Sequence, residues 1–119
     1  MDQAVSLSFF LYEVRQCVAE QFGGTHRVVA EIAAMQGSKH LYMELIEKQG
    51  GETKAKVRAN LWAYNRYRVL GHFEHVTRES LKPGMKVLLE VEVEFHLQYG
   101  FSFTVVNIDP AYTLGEFER

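Results

Sequence analysis

Residues 54–63 sort their side chains by parity. Ala55, Val57, Ala59, Leu61 and Ala63 are small or apolar, and Lys54, Lys56, Arg58, Asn60 and Trp62 are cationic, amide or aromatic. A strand sends successive side chains to opposite faces. This run therefore offers one face to a core and sets three cations, an amide and an indole in a row on the other. Such a strand needs neighbours, and the chain supplies them. Residues 26–35 set Val28, Ala30, Ile32 and Ala34 against Arg27, Val29, Glu31 and Ala33. Residues 39–47 place Leu41, Met43 and Leu45 on one face and His40, Tyr42 and Glu44 on the other. Residues 86–97 alternate cleanly, with Val87, Leu89, Val91, Val93, Phe95 and Leu97 inward and Glu90, Glu92, Glu94 and His96 outward. A tight turn at Gln98–Gly100 feeds residues 101–108. There Phe101, Phe103 and Val105 compete with Val106 and Ile108, so the inner face stays unassigned, and Pro110 ends the strand.

Two segments carry helical spacing. Leu7, Phe10, Leu11, Val14, Cys17, Val18 and Phe22 recur at steps of three and four, Ser6 or Ser8 suits the cap, and Gly23-Gly24 stops the run. The plain meaning of that stripe is packing on the body of the domain, with Cys17 a buried small hydrophobe. Residues 64–77 repeat Tyr67, Leu70, Phe73 and Val76 at steps of three, with Gly71 a weak point. The order is helix, three strands, helix, two strands. This predicts a mainly β fold: a five-stranded OB-fold Greek-key barrel with an N-terminal helix and a helix between strands 3 and 4. The competing arrangement is another small α+β sheet with its helices on one side.

The 119 residues suit one domain with its own core. A single cysteine excludes a disulfide scaffold or a cysteine-rich zinc module. No apolar run is long enough to span a bilayer, and Leu7–Leu11 lacks a basic leader and is followed by Glu13 and Arg15, unlike a signal peptide. The expectation is a cytoplasmic protein without membrane partners. The net charge of −2 argues against bulk attraction to nucleic acid, so any such role must rest on a local patch and on stacking.

If strands 2 and 3 form a hairpin, His40 and Tyr42 lie beside Lys56, Arg58 and Trp62 on its outward side. Cations track phosphates and flat rings stack on unpaired bases, a contact worth about 1–3 kcal/mol per base. Tyr64 and Arg66 extend this surface and Tyr99 offers a ring at the barrel mouth. The competing meaning is a solvated strand face with Trp62 covering a core edge. Glu90, Glu92 and Glu94 would repel phosphate, and in an OB barrel they are expected on a surface apart from the binding face. Catalytic constellations are absent. His72 and His75 share a helical face without a third metal ligand, so no metal and no cofactor are expected.

Several segments resemble the exodeoxyribonuclease VII large subunit family. Gly37-Ser38-Lys39-His40-Leu41-Tyr42-Met43-Glu44-Leu45 resembles its GH-x-Y-[FM]-x-L segment. Ala55–Ala63 is similar to the strand that follows there, and Gly84–Leu89 to its opening of strand 4. Tyr99–Phe103 through Ile108-Asp109-Pro110 is similar to the Bacteroides-type version, Tyr112–Gly115 closes the match, and Leu11–Val14 is similar to the opening helix. The resemblance implies an N-terminal OB-fold domain that binds single-stranded DNA. A catalytic region and a part carrying small subunits would follow, in an enzyme that degrades single-stranded DNA to oligonucleotides. It singles out His40, Tyr42, Arg58 and Trp62 for binding. Ala63 stands where the family commonly has Arg, and Leu97-Gln98-Tyr99 where it has Pro-Arg-Gly, with Lys56, Arg66 or Arg68 as possible replacements.

The expected division is an N-terminal helix packing on the barrel (1–25), the barrel (26–110) and the start of a connection to a nuclease region (111–119). The fragment is expected to bind and guide substrate without catalysing. The alternatives are an OB-fold assembly or docking module with Trp62 as anchor, or a tRNA-type RNA-binding or small-ligand barrel.

Overall fold

The structure is a computed structural model that describes residues 3–117. Met1 and Asp2 of the expected helical segment, and Glu118 and Arg119 of the expected connection, lie outside the described residues. Helix α1 spans Leu7–Gln21, β1 Thr25–Gln36, β2 Leu41–Gln49, β3 Glu52–Leu61, α2 Ala63–Thr77, β4 Lys86–His96, β5 Gly100–Ile108 and α3 Pro110–Phe117. The strands close into a barrel in the order β1-β2-β3-β5-β4. All pairs are antiparallel except β3 with β5, which are parallel. This is the five-stranded barrel that the element order predicts, with a helix before it and one between β3 and β4.

The inward residues of β2, β3 and β4 follow parity. Leu41, Met43, Leu45, Ala59, Leu61, Val87, Leu89 and Val91 are all buried. Bulges upset parity on two other strands. On β1 the register with β2 jumps between Ile32↔Leu45 and Ala34↔Glu44. Ala33 is the extra residue, so Ala34 turns outward and Met35, not Ala34, packs against the core. On β5, Glu90 opposes Asn107 and Val91 opposes Val105, which leaves Val106 unpaired. The inner face of β5 is therefore Phe103 and Val105 before the bulge and Ile108 after it. This shift is why residues 101–108 defy simple alternation.

The β2–β3 hairpin turns on Gly50-Gly51, whose φ angles are 60° and 83°. Two consecutive left-handed residues make the tight two-residue hairpin turn that matches strand twist, a conformation glycine adopts without a Cβ penalty. The loop is thus shorter than Lys48–Thr53, and a third bulge, outside the buried part of β3, leaves Lys54 between Ala55↔Glu47 and Thr53↔Lys48.

Helix α2 buries Val69, Phe73 and Thr77, spaced by four, rather than the three-step set. Tyr67 is 91% exposed, while Phe73 is fully buried against the barrel floor and Leu70 packs at its edge. Beyond β5 the chain forms α3, which starts at Pro110 and packs on α2 and β4.

Helix α1 departs most from expectation. Its cap is Ser6, whose Oγ accepts from the Phe9 N–H. None of its residues is buried, and its main contact is with β4. Leu7, Phe10 and Phe22 are exposed, with only Leu11, Val14 and Val18 half-buried. Cys17 is exposed, not a core residue. The radius of gyration, 16.5 Å, exceeds the about 13.5 Å of a compact chain of this length, in keeping with a helix that touches the barrel along one side of β4 and leaves its other faces open. No helix among the described residues is long and apolar enough to cross a membrane.

These burial differences set a stability contrast. Phe73→Ala is expected to lower unfolding free energy by about 3–5 kcal/mol, by cavity formation. Phe10→Ala is expected to change it by no more than about 0.5 kcal/mol. Urea unfolding followed by Trp62 fluorescence measures both.

Candidate nucleic-acid interface

Residues of all five strands meet in a cleft of about 930 Å³. Its geometry follows from register. Tyr42 lies opposite Asn60, and Glu44 opposite Arg58. Asn60 in turn neighbours Thr104, and Thr104 neighbours Glu92. One transverse row therefore reads Tyr42, Asn60, Thr104, Glu92 across β2, β3, β5 and β4.

Trp62 follows β3 directly and lies at the α2 N-terminus with extended backbone. Its Nε1 donates to Thr104 Oγ1 at 3.2 Å, which fixes the half-buried indole over the row. Tyr42 meets the indole edge-on at 6.2 Å between centroids. His40 meets it edge-on at 5.0 Å. The Ala63 N–H donates to His40 Nδ1 at 2.9 Å, so the imidazole serves as a cap for α2 and carries its proton on Nε2. His40 thus sets the position of Trp62 instead of lining the cleft itself.

The turn that carries His40 is tightly specified. Gly37 has φ 111°, and a Cβ there would meet the His40 carbonyl oxygen at 2.1 Å. Arg66 Nη1 donates to the carbonyls of Gly37 at 2.8 Å and Lys39 at 3.3 Å. Arg66 therefore clasps the β1–β2 turn and does not line the cleft. Arg68, the other cation weighed as a replacement, donates to the Val106 carbonyl that the β5 bulge leaves available.

Of the remaining sequence-selected residues, Tyr42, Arg58, Trp62, Tyr64 and Tyr99 share the cleft. Arg58 donates to the Tyr99 carbonyl and ties β3 to the β4–β5 turn. Tyr99 stacks on His96 with ring centroids 4.6 Å apart. Tyr64 is 78% exposed at the rim. Lys56 lies further out on the hairpin, paired with Glu44 at 3.6 Å and outside the cleft lining.

The acids of β4 are not on a separate surface. Because β5 inserts between β3 and β4, Glu92 and Glu94 line the same cleft as Arg58 and Trp62. Sequence reasoning also missed Asn60, Ser102 and Thr104 as cleft residues; Arg15, which stands near the place of the related family's usual opening-helix Asn, is delivered to the lining by α1. Outward parity flagged Asn60, but Ser102 and Thr104 were hidden by the β5 bulge. Nothing in the helical spacing of α1 marks Arg15.

Comparison with known proteins bears on this cleft. The family described as an OB-fold nucleic acid binding domain matches residues 5–109. The chain is also 40% identical over 121 residues to the exodeoxyribonuclease 7 large subunit of Deinococcus radiodurans, an alignment covering 97% of this chain. The chain spans 29% of that relative's length.

Two substitutions test the support under Trp62. His40→Ala removes the acceptor for Ala63 N–H and is expected to lower stability by about 1 kcal/mol, with a red-shifted Trp62 emission. Gly37→Ala is expected to disturb the same emission more strongly, since the His40 backbone must move; fluorescence spectra and urea midpoints read both.

Proposed function

The chain belongs to the family of OB-fold nucleic acid binding domains, and from that premise we propose that its cleft binds single-stranded DNA. The reading extends to the parent protein. The domain guides substrate to the catalytic region of a cytoplasmic exodeoxyribonuclease VII large subunit that degrades single-stranded DNA to oligonucleotides and carries small subunits. The likeness to the relative of that name supports this. In this reading residues 26–110 are the binding barrel and residues 111–119 begin the connection to the catalytic region.

The observation that carries the reading is the placement of Trp62. Its ring is held by Thr104, flanked by Tyr42, and open to a cleft that also contains Arg58 and Tyr64. An unpaired base stacks on such a ring, and the adjoining cation takes its phosphate. Duplex DNA hides its base faces and gains nothing from the indole. In this reading the domain takes no part in cleavage: among the described residues no nucleophile and base are set against its cleft acids, Glu44 on β2 and Glu92 and Glu94 on β4.

Titration with a short oligonucleotide is expected to quench Trp62, the only tryptophan. Trp62→Ala, followed by anisotropy of a labelled strand, is expected to weaken binding by about tenfold or more. Tyr42→Ala, which leaves the indole's bond to Thr104, is expected to weaken it less. Few free cations face the cleft, so log K is expected to fall with log salt at a slope of only about −1 to −2. Absent quenching at low salt, or unchanged affinity in both variants, would sink the reading.

A further inference from the structure

The cleft has two unlike walls. The β2–β3 wall holds rings, Arg58 and a Glu44 already paired with Lys56, and the β4 wall holds Glu92 and Glu94. Both glutamates are exposed. Among the described residues neither forms an ion pair or a side-chain hydrogen bond. Their charge repels phosphate, so the backbone of a bound strand is held towards Arg58 and base edges turn towards β4.

Strand spacing sets the reach. Thr104 lies between Asn60 and Glu92 in the transverse row, and neighbouring strands are about 4.8 Å apart. The indole is anchored on Thr104. A base stacked on that indole has its edge one strand away from a carboxylate.

A carboxylate only accepts hydrogen bonds. Guanine presents two adjacent donors on its Watson–Crick edge, N1–H and the N2 amino group, which match the two oxygens of one carboxylate. Adenine and cytosine each present one amino group beside a ring-nitrogen acceptor. Thymine presents a single N3–H between two carbonyl oxygens, and a carboxylate repels both. We infer that Glu92 and Glu94 are specificity residues, which make the cleft favour guanine over thymine in single-stranded DNA. This rests on the single-strand reading given above.

The test uses labelled strands about twelve nucleotides long, within the about 4–16 nucleotides an OB barrel covers. One alternates dT and dG, one alternates dT and deoxyinosine, and one is all dT, each in lithium salt to prevent guanine self-assembly. The dG strand is expected to bind about fivefold or more tighter than all dT, the scale of one good bidentate base contact. Inosine lacks the N2 amino group, and its strand is expected to fall between them. In the Glu92→Ala/Glu94→Ala double variant the difference is expected to vanish and all-dT binding to tighten. Equal affinities in the unsubstituted domain overturn the inference but leave single-strand binding standing. So does a guanine preference that survives in the double variant, since stacking alone would then explain it. No binding of any strand overturns both.

Discussion

The parallel contact between β3 and β5 is short, Ala59 with Phe103 and Asn60 with Thr104, yet the rest of the molecule depends on it. It closes the sheet, so that core residues such as Leu61, Leu89 and Ile108 are enclosed on every side. It also sets Thr104 beside the end of β3, where Trp62 leaves the strand. Without that neighbour the indole would have no partner for Nε1 and no floor. The same contact carries β4 round to face β2. The acidic strand then becomes a wall of the cleft instead of a remote exterior.

Parity made much of this legible. The inward sets of β2, β3 and β4 read directly from sequence because each strand is unbroken over the barrel interior. Where parity failed, a bulge was the cause. One extra residue at Ala33 or Val106 inverts everything beyond it, and no residue type in those runs announces the insertion. Helix α2 misled for a different reason. Tyr67 and Val76 fit an apolar spacing, but the helix axis is set by its start at Trp62 and His40, which turns Val69 and Phe73 inward. The site was legible as a strand face and illegible as a cleft, since a cleft needs the strand order that brings β4 opposite.

The fate of the cations resolves the tension between a net charge of −2 and a nucleic acid partner. Arg66 and Arg68 are engaged with main-chain carbonyls and Lys56 with Glu44. These charges hold turns and strands in place. Arg58 also bonds a carbonyl, but its position within the cleft leaves it near any ligand. Exposed ion pairs contribute little to stability, about 0–1 kcal/mol. The clasp of Arg66 on Gly37 and Lys39 matters through geometry, because it holds the turn from which His40 reaches α2.

Two roles are thus divided within one small aromatic group. His40 is spent on architecture: its Nδ1 takes an otherwise unpaired helix N–H, and its ring edge braces the indole. Trp62 is braced on one side and bonded at Nε1, so ordering it for a ligand costs little further side-chain entropy. Tyr64, at the rim, lacks such bracing and is open to solvent. A face assembled this way does not depend on bulk attraction. It holds one rigid ring in a groove whose polar walls differ, so the strand proposed to bind there would take its orientation from that difference and not from the total charge.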